Sequence, residues 1–113
     1  MTPAHWLRST LGAGLALAAV ACAGAAALTP RQIDLLDVNC VQCHVHQGIG
    51  VPQMGRPADW RARDAQGEAV LLRHVVEGYR NMPPAGDCGA CTLADLRALT
   101  RQVAGLDTAA GGR

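Results

Sequence analysis

Apolar positions recur along this chain at intervals of three and four rather than two, the spacing that gathers side chains on one face of an α-helix. After Thr29-Pro30-Arg31-Gln32, Ile33, Leu36 and Cys40 share such a face. Thr29 suits a helix cap, Pro30 the first helical position and Gln32 the returning arm of a capping box, so a helix is predicted to begin there and to end in Cys40. A second helix is expected over residues 67–79, with Leu71, Val75 and Gly78 on one side. A third begins at Thr92, where Asp95 completes the cap, and carries Leu96, Leu99, Val103 and Leu106 as its apolar stripe. Between the first two, GIGVPQMGRP at 48–57 is rich in Gly and Pro and reads as loop. No stretch alternates as a strand does. The fold class is therefore all-α, ordered helix, long loop, helix, loop, helix.

The N-terminus follows a different pattern. His5 and Arg8 precede residues 11–28, which carry no charge, and AGAAA closes the segment at 23–27. A positive start, a short apolar middle and small residues at the end make residues 1–27 a secretory signal peptide. Two other readings fit the same residues. The uncharged stretch of 18 residues is long enough for a retained membrane anchor, although its Ala and Gly make it only weakly apolar. Ala19-Val20-Ala21-Cys22 is also a candidate lipoprotein site, without the Leu expected three residues before the Cys. All three readings place residues 28–113 outside the cytoplasm, in the periplasm of a bacterium.

Composition narrows what such a domain can be. A chain of 113 residues allows one small domain. It has no Phe, and its aromatics are Trp6, Trp60 and Tyr79, so the core is expected to be thin and to need a staple beyond packing. Loss of the leader removes Cys22. The four remaining cysteines form two C-x-x-C pairs, Cys40/Cys43 and Cys88/Cys91, and in an oxidising compartment each is expected to be disulfide-bonded, metal-bound or otherwise covalently occupied. From Leu28 onward nine Arg balance nine acidic residues and there is no Lys. With neither a basic stripe nor interleaved aromatics, nucleic-acid binding has no support.

The chemistry concentrates in NCVQCHVH at 39–46. Two thiols and an adjoining imidazole could hold a metal, form a redox disulfide or anchor a porphyrin. In C-x-x-C-H the thiols can add to the two vinyl groups of haem while the His ligates the iron, and an exported chain is where covalent attachment is completed. A sixth ligand must then be found. Met82 lies 38 residues after His44 in Asn81-Met82-Pro83-Pro84, where two prolines stiffen an extended loop that could hold a thioether against the opposite haem face. Met54, only ten residues after His44, is assigned to packing. His46 reads as solvent-facing and His74 as a residue bordering the buried face of the middle helix; neither is assigned a ligand role.

Two alternatives stay open on these residues. Cys40, Cys43, Cys88 and Cys91 could together bind a structural zinc ion, although zinc leaves His44 and Met82 without a role. A haem enzyme or sensor, with Met82 displaced from the iron, is the other, although no distal acid–base pair accompanies it. A working dithiol at Cys88 and Cys91 finds no β-α-β surroundings.

The order C-x-x-C-H, Gly/Pro loop, A-D-W, then M-P-P followed closely by a second C-x-x-C resembles the small bacterial class I c-type cytochromes, and within them the cytochrome c5 group. The resemblance covers residues 29–105, and MPPAGDCGACTLADLR is its discriminating part. It implies three to four helices around one covalently bound haem c, with Cys40 and Cys43 as attachment points and His44 and Met82 as axial ligands. It further implies a structural Cys88–Cys91 disulfide, a Pro52 carbonyl accepting from the His44 ring, and Trp60 near the haem edge or a propionate. The implied activity is one-electron transfer, not enzymatic turnover. Its partners would be redox proteins of an electron-transport chain (oxidase, reductase or dehydrogenase), and membrane contact would come only through them or a retained anchor. The protein would be a monomer or a weak dimer. The chain departs from the class in lacking aromatics on its terminal helices, so contact there is expected to be looser, or tightened by small residues such as Gly105.

Overall fold

The structure, a computed structural model, describes residues 26–107. Almost all of the expected leader, residues 1–27, thus lies outside the described residues. The chain begins with the cap that its sequence predicts: the Thr29 hydroxyl accepts from the Gln32 N–H at 3.2 Å and the Gln32 side chain accepts from the Thr29 N–H at 3.0 Å. Helix α1 (Pro30–Leu35) follows. It passes without a break into a π-helical turn (Leu36–Cys40) and then α2 (Val41–His44). After a loop come α3 (Pro57–Asp64), α4 (Glu68–Glu77), a 3₁₀ turn (Pro84–Asp87) and α5 (Leu93–Ala104). Among the described residues there is no strand; a single bridge pairs Tyr79 with Met82.

The face predicted for the first helix is observed in part. The π turn takes more residues per turn than an α-helix, and Leu36 and Cys40 at its two ends both stay on the core side. Leu36 is buried and Leu35, Cys40 and Val41 pack beside it, while Ile33 stands 52% exposed. A further expectation is corrected at a glycine. The middle helix stops at Glu77 rather than reaching Tyr79, because Gly78 turns the chain at φ 84°. Gly105 ends α5 in the left-handed region at φ 73°. The unexpected helix α3 lies within residues read as loop and those just after it, with Pro57 at its first position.

The buried core consists of Leu36, Trp60, Leu71, Leu99, Val103 and Ala104, with Met54 among the half-buried residues packed on it. One aromatic ring serves the whole cluster. Polar clasps supplement it. Asp95 caps α5 with Thr92 and also accepts from Arg31 at 2.7 Å and Gln32 at 3.2 Å, while a second arm of Arg31 reaches the Ala90 carbonyl. This joins the starts of α1 and α5. At the other end of α5, Arg101 bridges Glu68, at the start of α4, and Asp107.

Candidate functional site

His44 is the last residue of α2, and the loop after it closes back on it twice. Its Nδ1 lies 2.7 Å from the Pro52 carbonyl, and its own carbonyl accepts the Met54 N–H at 2.7 Å. A carbonyl only accepts, so Nδ1–H is the donor, and in the neutral ring Nε2 then holds the lone pair. That is the tautomer a metal-ligating imidazole requires.

The Pro52 carbonyl is held in place by α3. Asp59, in the first turn of that helix, accepts the Gln53 N–H at 3.0 Å, and Trp60 donates its indole N–H to the Gln53 carbonyl at 2.8 Å. The Gln53 side chain is itself buried and donates to the Val51 carbonyl. Trp60 lies beside His44, ring centres 5.8 Å apart. Its indole N–H is engaged by the Gln53 carbonyl, so it is the ring that lies against His44.

Cys40 and Cys43 are both free thiols, the first half-buried and the second exposed. Burial pushes the Cys40 thiol up, which keeps it protonated. Cys88 and Cys91 are bonded to each other instead. Two sulfurs joined in a disulfide are not thiolates, so the four-thiolate zinc arrangement is excluded.

Met82 sits in a tight turn. Tyr79 and Met82 exchange both backbone hydrogen bonds, at 3.0 and 2.9 Å, and Pro83 continues extended into the 3₁₀ turn. That turn lies against α4 and against the π turn that ends in Cys40, which brings the Met segment to the thiol-bearing one. Gly78 makes the approach possible. A Cβ there would stand 3.0 Å from the Met82 carbonyl and from the Pro84 nitrogen, inside any ordinary contact. Met82 is half-buried, His46 is exposed, and His74 is half-buried and stacked on Tyr79.

The donor set fits a haem: two unpaired thiols two residues apart, an imidazole with its outer nitrogen free, and a thioether on a glycine-backed loop. An all-α chain built on these parts is a class I c-type cytochrome. Residues 25–101 match the family model described as cytochrome C oxidase, cbb3-type, subunit III, and the chain belongs to that family. It is 33% identical over 75 residues to cytochrome c5 of Ectopseudomonas mendocina, covering 65% of this chain and 86% of that one. The cytochrome c5 of Azotobacter vinelandii is also 33% identical over 75 residues, covering 65% of this chain and 90% of its own. Among solved structures, a chain from the crystal structure of an electron transfer complex of nitrite reductase with cytochrome c superposes with a TM-score of 0.62 at 32% identity, over 72% of this chain and 99% of that one. The protein is thus a single-haem, electron-carrying cytochrome with covalently bound haem c.

The α3 clamp, Gly78 and the Asp95 clasp were not found by sequence reasoning. Arg56-Pro57 ahead of Asp59-Trp60 is a helix-start signal that could have shown α3, and Gly78 after an apolar helix is a stop signal. The partners of Asp95 lie 63 and 64 residues away and have no local signal.

Proposed function

We propose that His44, through Nε2, and Met82, through its thioether sulfur, are the axial ligands of a haem tethered by Cys40 and Cys43. In this reading the protein shuttles single electrons between redox proteins in the periplasm and turns over no substrate. The observation that carries it is the 2.7 Å bond between His44 Nδ1 and the Pro52 carbonyl, which leaves the outer nitrogen free to coordinate and makes the ring more basic. When bound, the haem supplies a one-electron iron couple, with a potential raised by Met/His ligation relative to His-only iron. The chain's own residues do the rest. Cys40 and Cys43 bring the S–H groups that add to the vinyls, His44 is oriented by the 51–54 loop, and Met82 is set by its turn.

With both axial positions taken, no iron site is left for a substrate, so the role is carriage. The nitrite reductase complex that contains a similar chain supports a redox enzyme as partner. Balanced charges from Leu28 onward offer no single-sign field for steering, so docking rests on a largely apolar face rimmed by Arg. The leader at 1–27 supports export, and among the described residues no helix is long and apolar enough to cross a membrane.

The test is an optical spectrum before and after dithionite with an intact mass, on protein expressed with haem-maturation machinery. Sharp reduced c-type bands, a mass gain of one haem and the weak red charge-transfer band of Met-ligated ferric iron are expected, and Met82→Ala should abolish that band. A mass without haem overturns the reading; a band that survives in Met82→Ala removes Met82 from the iron.

A further inference from the structure

Tyr79 lies outside every helix and is 45% exposed, yet both its ring and its backbone are engaged. The ring stacks on the His74 imidazole of α4, with centres 3.9 Å apart and planes 16° from parallel. The Arg80 guanidinium lies 5.4 Å from the same ring centre. The backbone of Tyr79 gives its N–H to the Met82 carbonyl and accepts the Met82 N–H in return. Between them Arg80 sits at φ 53°, a conformation that residues other than glycine seldom adopt. A turn holding such a residue on the surface needs an anchor, and the stack supplies one on a helix that reaches the core through Leu71 and Leu72.

We infer that His74 and Tyr79 are positioning residues for Met82: α4 holds the tyrosine ring, the ring holds the turn, and the turn aims the thioether. The inference rests on Met82 as an axial ligand. If the stack biases the Met-bound arrangement over one in which Met82 has swung away, losing it should favour any external ligand that competes for the same iron position. Aromatic pairs of this kind shift such an equilibrium by about two- to tenfold.

The experiment is an imidazole titration of the ferric holoprotein, followed by its absorption spectrum, in His74→Ala, Tyr79→Ala, His74→Phe, Tyr79→Phe and Met82→Ala. Both alanine variants should bind imidazole about two- to tenfold more tightly than wild type, with a weaker red charge-transfer band and haem still attached. The phenylalanine variants keep a ring to stack and should stay near wild type. Met82→Ala should bind imidazole more tightly still, and adding His74→Ala to it should change nothing further, since no thioether is left to position. Should Met82→Ala leave the affinity unchanged, the axial assignment falls and this inference with it. Should Met82→Ala raise the affinity while His74→Ala, with Tyr79→Ala wherever it folds, matches wild type, the inference alone is overturned. A lower melting temperature for His74→Ala with unchanged affinity has the same meaning, because it marks the stack as merely structural.

Discussion

The indole N–H of Trp60 holds the Gln53 carbonyl at 2.8 Å, one residue along from the Pro52 carbonyl that holds His44. A buried tryptophan of α3 thereby acts on an imidazole of α2 through two adjacent backbone carbonyls. Trp60→Phe removes the donor without changing charge. It leaves the Gln53 carbonyl unpaired and the 51–54 loop less firmly placed, so stability should fall by about 1–3 kcal/mol. With His44 as the proposed ligand, the weakened hydrogen bond makes its ring less basic and stabilises oxidised iron less. The reduction potential should therefore rise. A spectroelectrochemical titration alongside guanidinium unfolding checks both; an unchanged potential would show that Pro52 does not depend on the Trp60 bond for its placement.

Gly78→Ala tests the Met loop from behind. At φ 84° and ψ 152° the residue occupies a region essentially reserved for glycine, and a Cβ would press on the Met82 carbonyl and Pro84. The strain alone should lower stability by about 1–3 kcal/mol. Because relief requires the loop to move off α4, ferric iron should also become more accessible to cyanide. Equilibrium unfolding and cyanide binding measure the two effects, and a variant with wild-type values for both would mean that the loop does not depend on this close approach.

Much of this arrangement is local and could be read directly. Both capping boxes, the α5 stripe and the loop after His44 each depend on residues a few positions apart. What could not be read has two physical origins. Helical spacing groups Ile33 with Leu36 but does not say where along the helix the core ends, and Ile33 is 52% exposed. The other features are long-range: Arg31 meets Asp95 and Arg101 meets Glu68 only because the terminal helices and α4 come together. The position of Pro52 could be anticipated only through the resemblance, whereas the α3 residues that hold its neighbour could not, because their contacts are to the backbone N–H and carbonyl of Gln53, which carry no sequence identity.

Asp95 should make the protein sensitive to acid. Hydrogen bonds from Arg31, then from Thr92 and Gln32, hold its carboxyl well below the usual carboxylate range, and its side chain is only 8% exposed. A folded-state value below the unfolded one means that the stabilisation is fully present above the unfolded value of about 3.9 and is lost as pH falls toward the folded value. Wild type should therefore lose stability as pH drops below about 4, while Asp95→Asn starts lower at neutral pH and loses less over the same interval. Melting temperatures of the two proteins followed from neutral pH into that acid range should converge; parallel curves would remove Asp95 as the cause.

The Cys88–Cys91 disulfide closes a small loop between the Met segment and α5, and Cys88 is 4% exposed. For so short a loop the chain-entropy gain is about 2 kcal/mol, below that of a bridge spanning a long segment. Cys88→Ser with Cys91→Ser should therefore lower stability by about that amount, with some added cost for a hydroxyl where a buried sulfur stood. The proposed attachment residues Cys40 and Cys43 and the proposed ligand His44 lie elsewhere in the chain, and the Met82 turn is closed by its own bonds to Tyr79, so haem incorporation and the absorption spectrum should be retained. Intact mass, the reduced spectrum and a urea titration distinguish the outcomes. A stable, fully loaded double variant would show that the turn into α5 is set by the Thr92–Asp95 cap alone, whereas loss of haem would place the bridge in maturation rather than in holding the finished fold.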